Sequence, residues 1–212
     1  GPIARPFALN AGKVIVPSIN SPADLTANKG GGNAVRQPTS GDKSLLDFVR
    51  RCDERARANC AKMRAAMKKN ADTADYPTFG LAIHLRTTAQ LIRADIGLRI
   101  VFLELGGGGI GGFDNHANQI GNHCAMLHQL SESVAAFIDD LKSDKTLDRV
   151  LLMTFSEFGR TLKENGRRGT GHGNAAPMFL AGTKLRKNLA GTHPSLTDLD
   201  KGALKHSIDF RE

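Results

Sequence analysis

Three short segments of the chain carry the residue types of a divalent-metal site. In the first, Gly112-Phe113-Asp114-Asn115-His116, a carboxylate and an imidazole lie two residues apart, just past an apolar run and a glycine-rich stretch. The second, Ser156-Glu157-Phe158-Gly159-Arg160, adds another carboxylate. The third, Gly169-Thr170-Gly171-His172-Gly173, adds another imidazole. Hard oxygens from Asp114 and Glu157 with borderline nitrogens from His116 and His172 suit Zn²⁺, Mn²⁺ or iron better than calcium. An ion held this way generates hydroxide near neutral pH and polarises a phosphoryl or similar oxygen. Arg160, with Arg167 and Arg168, is the candidate for steadying an anionic substrate, since a guanidinium binds phosphate or sulfate oxygens in pairs.

Each residue also has a plainer reading. Asp114 could end a turn or cap the helix that begins just after it, a role Asp favours. Glu157 could form a structural ion pair where a strand gives way to a loop. His123, one heptad beyond His116, could orient a ligand or simply lie on a helix surface. The glycine-rich stretch 106–112 is not a phosphate-binding loop of the Gly-Lys-Ser/Thr kind, because no such triplet follows it.

Helices and strands must bring these segments together. Leu45, Val49, Cys52, Ala56, Cys60, Met63 and Met67 recur at helical spacing and predict a helix over 44–70. A second helix is expected near 79–95. A third is expected from 117 or 118, with Ile120, Cys124, Leu127, Val134, Ile138 and Leu141 as its apolar stripe. Two nearly continuous apolar runs, 99–105 and 149–155, read as strands buried on both faces, the pattern of a parallel sheet. Residues 177–181 give a third short strand. The expected fold class is therefore α/β, with a mostly parallel sheet. In such a sheet ligand chemistry collects beyond the carboxyl ends of the strands, so the Asp114 and Glu157 loops would share one edge. Residues 1–43, rich in Pro, Gly, Asn and Ser, read as an extended arm or loop, and 44–212 as a single α/β domain.

The chain has 212 residues, 40% of them hydrophobic, which is enough to bury a core and argues against wholesale disorder. The net charge of +8 is concentrated on the predicted helix over 44–70, in Arg50, Arg51, Arg55, Arg57, Lys62 and their neighbours. No aromatic residues interleave these charges as stacking platforms would, so a solvated helix face explains them better than nucleic-acid binding. Binding of a polyanion remains the alternative. Cys52 and Cys60 would lie about 12 Å apart along one helix, beyond the reach of a disulfide, while a bridge to Cys124 stays open. There is no CxxC motif, no apolar run long enough to span a bilayer and no signal peptide.

The motifs Gly-Phe-Asp-x-His-Ala-x-Gln, Ser-Glu-Phe-Gly-Arg and Asn-Gly-x-x-Gly-Thr-x-His-Gly, in this order, resemble the bacterial family called domain of unknown function 1501. Members are described as sulfatase-like and are placed in the alkaline phosphatase superfamily. The resemblance runs from about Tyr76 to Arg211. It implies a three-layer α/β/α fold with a metal centre, of two metals in the style of the superfamily, acting on phosphate or sulfate esters. By analogy Asp114, His116 and His172 are similar to the ligands of one metal, zinc or manganese, and Glu157 to the acid that holds the other. Family members usually carry an acid where this chain has Gly171. The superfamily nucleophile normally follows the first strand of the domain, and no Ser or Thr of 1–43 has that setting, so the chain is expected to be a fragment or a degenerate member; its Gly1-Pro2 start, without an initiating element, adds the expectation that both ends are truncated. The resemblance also implies export to the periplasm. A non-catalytic metal- or anion-binding relative of the same fold is the competing expectation.

Overall fold

The computed structural model describes residues 43–69, 74–106 and 112–209. The arm expected ahead of the first helix lies outside the described residues. Three helices come first, α1 (Lys43–Lys69), α2 (Gly80–Arg93) and α3 (Gln119–Ser143), then a 3₁₀ turn at Leu147–Arg149. Six two-residue strands follow: β1 (Leu152–Met153), β2 (Gly159–Arg160), β3 (His172–Gly173), β4 (Leu180–Ala181), β5 (Leu199–Asp200) and β6 (Ala203–Leu204). The described residues form two units, one combining α1 with 84–101, the other combining 74–83 with 102–209.

In the first unit the described part of the predicted α1 stripe, Cys60, Met63 and Met67, turns inward. Met63 and Ala66 are buried with Leu91, and Cys60, Met67, Ala94, Ile96 and Leu98 pack against them. The opposite side carries the charge: Arg50, Arg57, Lys62 and Lys68 are exposed. Arg57 Nε donates to Asp53 at 2.8 Å, one turn away, an exposed pair of small energetic weight. Cys60 and Cys124 are free thiols. No helix among the described residues is long and apolar enough to cross a membrane.

In the second unit α3 buries Met126, Ser133, Phe137, Asp140 and Leu141. The expected stripe is thus rotated by about one residue, leaving Ile120, Cys124 and Leu127 exposed. Ile120 and Cys124 instead line an open groove of about 310 Å³ with Leu162, Thr170 and Arg168. Asp140 is 1% exposed, and the hydroxyl of Tyr76, the chain's single tyrosine, donates to its Oδ2 at 2.7 Å. A carboxylate taken out of water needs its donors. Tyr76→Phe is therefore expected to lower the unfolding free energy by about 1–3 kcal/mol, read from urea denaturation.

The expected parallel sheet does not form. The fold is mixed α/β, and among the described residues the strands form antiparallel pairs, β1 with β4, β2 with β3 and β5 with β6, with one further antiparallel bridge between Thr161 and Ala203. Residues 99–105 are not in a strand. Within 149–155 only Leu152 and Met153 pair, opposite Ala181 and Leu180. A strand buried on both faces needs neighbours on both sides, and these runs lack them: Ile100, Leu151 and Phe155 are 74%, 63% and 59% exposed. Continuous apolar character signals a wish to be buried but does not name the partner. The three-layer arrangement with a parallel sheet is accordingly corrected to a mixed α/β fold of helices and small antiparallel pairs.

Candidate metal centre

A loop and a short antiparallel pair, rather than the edge of a parallel sheet, bring the candidate ligands together. Antiparallel pairing sets Gly159 opposite Gly173 and Arg160 opposite His172. Such a close approach leaves no room for a side chain, since a Cβ on Gly159 would fall 1.7 Å from the carbonyl oxygen of Ala175. Gly159→Ala is expected to cost about 1–3 kcal/mol of stability by this overlap, read from a thermal melt. The ladder continues where Thr161 N–H donates to Gly171 O at 3.0 Å, and Gly171 N–H donates back to Thr161 Oγ1 at 3.0 Å.

Asn165 fastens the next turn to the His116 segment. Its Oδ1 accepts from the N–H groups of Arg167 and Gly169 at 2.8 and 3.1 Å, and its Nδ2 donates to His116 O at 3.1 Å. The first N–H groups of α3 are taken up from the same turn: Asn118 donates to Arg167 O at 3.0 Å and Gln119 to Arg168 O at 2.9 Å. Asn118, in a left-handed conformation, stands at the cap position of α3. Asp114 therefore does not cap the helix, and its carboxylate is left for other partners. Gly169 lies so near the His116–Ala117 peptide that a Cβ would come within 2.2 Å of the His116 carbonyl carbon.

Arg160 locks the arrangement. Its Nη1 donates to Thr170 O at 2.9 Å, and its Nη2 donates to Phe113 O at 2.6 Å and to Asp114 Oδ1 at 2.7 Å. One guanidinium thus ties the Asp114 turn to the segment that carries His172. Its side chain is only 17% exposed. Phe158 stacks flat on His172, with ring centroids 3.8 Å apart and planes 6° from parallel, and the Arg160 guanidinium lies 5.0 Å from the Phe158 ring centre.

Held in this way, three ligand atoms meet. Asp114 Oδ1 is 3.0 Å from His116 Nε2 and 2.9 Å from His172 Nε2, and the two Nε2 atoms are 3.0 Å apart. Each Nε2 offers either one proton or one lone pair, directed along the ring plane. If both rings donate to Asp114, the 3.0 Å contact between nitrogens has no proton in it. If one ring donates to the other, Asp114 loses a donor. No assignment of protons satisfies all three edges, whereas one cation facing the triangle does. The donor set thus fits a divalent metal.

The electrostatics bear on Asp114 alone. The hydrogen bond to His172 holds the Asp114 carboxyl below its usual 3.8, against a smaller opposing effect of desolvation and with further help from Arg160 and the two neighbouring histidines. A carboxyl lowered by folding contributes stability above its unfolded value, near 3.8, and that contribution is lost as pH falls through the lower folded value. Asp114 is therefore ionised, as a ligand must be, throughout the neutral range.

Of the four candidate ligands, Asp114, His116 and His172 come together, while Glu157 is exposed and is not one of the converging groups. His123 rests edge-on against Phe113 at 5.4 Å between ring centres, outside the triangle. Arg160 contacts a ligand and two carbonyls. Sequence reasoning placed Phe158 and Asn165 within its motifs but gave neither a role. The Asn165-Gly166 pair is a turn signal that could have marked the second, whereas nothing in the spacing marks Phe158 as a ring support.

Residues 42–201 match the family described as Protein of unknown function (DUF1501). No curated protein and no solved structure matches the chain.

Proposed function

The chain belongs to the family of proteins of unknown function DUF1501, and from that premise we propose a metal-dependent hydrolase-like domain acting on phosphate or sulfate esters. The observation that carries the proposal is the triangle of Asp114, His116 and His172, whose ligand atoms lie 2.9–3.0 Å apart without protons enough to join them. Asp114, His116 and His172 would hold a divalent ion, zinc or manganese by donor chemistry, which would supply Lewis acidity toward an ester oxygen. The chain's own residues prepare the site. Asp114 provides the anionic oxygen, kept ionised by its neighbours. Arg160 offsets that charge and fixes the carboxylate's direction, so its role is positioning rather than contact with substrate. Phe158 sets the plane of His172. The ligand side chains remain about half exposed, so an ester can approach from solvent.

A non-catalytic metal-binding relative is the second reading, and hydroxyl groups on the site loops favour it. Ser156 Oγ donates to Phe158 O at 3.0 Å, and Thr170 Oγ1 donates to Gln119 Oε1 at 2.8 Å. Both are committed to structural bonds rather than poised as nucleophiles. Metal-loaded protein assayed on 4-nitrophenyl phosphate and 4-nitrophenyl sulfate separates the readings. Turnover that disappears in both Asp114→Ala and His172→Ala supports the hydrolase. Bound metal without turnover supports the non-catalytic relative, and turnover that survives both substitutions removes this site from the chemistry.

A further inference from the structure

We infer that Asn122, in the first turn of α3, is a positioning residue of the candidate site: by holding Asn115 inward it turns Asp114 and His116 outward to a shared side. The inference rests on the reading of Asp114 and His116 as site residues and adds what aims them. Asn115 is 7% exposed, whereas its neighbours Asp114 and His116 are both exposed. Burial thus alternates along the three residues as it does in an extended chain, where successive side chains leave on opposite sides. An inward Asn115 sends both flanking side chains outward, where Asp114 Oδ1 and His116 Nε2 meet at 3.0 Å.

The inward amide is fully engaged. Asn115 Oδ1 accepts from Asn122 Nδ2 at 2.5 Å, and Asn115 Nδ2 donates to Gly112 O at 3.3 Å. Asn122 Nδ2 also donates to Gly112 O, at 2.9 Å, a carbonyl with two lone pairs to offer. The main chain of Asn115 is fastened as well: its N–H donates to Phe113 O at 3.0 Å, and its carbonyl accepts from Thr170 N–H at 3.3 Å. Asn122 therefore ties the turn to a long helix at two points, Gly112 and Asn115. Arg160 ties the same turn to the segment that carries His172.

A buried amide is stable only with its partners in place. Without Asn122 the Asn115 Oδ1 loses its donor, and Gly112 O keeps only the longer bond from Asn115. The least costly relief is for Asn115 to swing out to water. That movement rotates the backbone on either side of it and carries Asp114 and His116 off their common side. Asn122 touches neither residue, so its effect on them passes through Asn115.

The test compares the full chain with Asn122→Leu, which keeps the bulk and removes the donor, and Asn122→Gln, which keeps the amide one methylene further out. Two quantities are read: the carbon-13 ring signals of the histidines in chelator-stripped protein, and Mn²⁺ affinity by dye competition. In Asn122→Leu the His116 and His172 ring signals are expected to move while those of His193 and His206 stay. Mn²⁺ affinity is expected to fall about 10- to 100-fold, the usual weight of a group that orients a ligand. Asn122→Gln should recover part of both. Parent-like ring signals in folded Asn122→Leu would overturn the inference, as would a parent-like Mn²⁺ affinity where the parent binds the ion. If the parent takes up no Mn²⁺, the metal reading falls and the ring signals alone decide whether Asn122 aims the pair. Should Asn122→Leu fail to fold, the smaller Asn122→Ala is read by the same criteria.

Discussion

Asp114→Asn will bind Mn²⁺ or Zn²⁺ at least about 100-fold more weakly than the parent protein in a competition titration with a chelating dye. Residues that merely orient a ligand typically contribute 10- to 100-fold to metal affinity, so the loss of the anionic member of the proposed triangle belongs at or beyond the top of that range. The substitution keeps the shape of the side chain. It removes the charge that the His172 hydrogen bond and Arg160 hold in place. Far-ultraviolet circular dichroism should therefore remain that of the parent while metal affinity collapses. A parent-like affinity in the folded variant would mean that the ion, if any, sits elsewhere.

Arg160→Met will weaken metal binding by about 10- to 100-fold although Arg160 is not a ligand. Its guanidinium reaches Asp114 Oδ1, Phe113 O and Thr170 O together. Methionine retains the apolar reach and loses all three bonds. The partly buried carbonyls are left without this donor, which adds about 1–3 kcal/mol of destabilisation. Arg160→Lys offers one ammonium where a planar fork had served three acceptors, so it should recover only part of the affinity. A purely structural role would lower the melting temperature of both variants and leave the affinity of the folded fraction unchanged. Measured under conditions where each variant is fully folded, affinity thus separates positioning from stability.

How much of this was legible in the sequence differs from element to element. Helical spacing located α1, α2 and α3, because a 3.6-residue period is repeated many times in each. It did less well on which face of α3 is buried, since Ile120 and Leu127 lie on an exposed side while Ser133 and Asp140, polar in sequence, lie inside. The strands were misjudged for a different reason. A nearly continuous apolar run such as 149–155 cannot say whether a partner strand lies beside it, and here the pairing that does occur is antiparallel and two residues long. Three of the four candidate ligands nevertheless converge, because residue chemistry singled them out independently of the sheet. What assembles them was less visible. Arg160 was read as an anion clamp, yet its contacts are to Asp114, Phe113 and Thr170, residues 46, 47 and 10 positions away. Long-range bonds of this kind leave no periodic trace. The same holds for Gly169, whose need for a bare backbone arises from a peptide more than fifty residues earlier in the chain.

The most direct test is a calorimetric titration of chelator-stripped protein with Mn²⁺ and with Zn²⁺, repeated on His172→Ala. The triangle of Asp114, His116 and His172 predicts one saturable site per chain in the parent, and its loss in the variant. No binding in the parent, or an undiminished site in His172→Ala, would contradict a metal centre at these three residues.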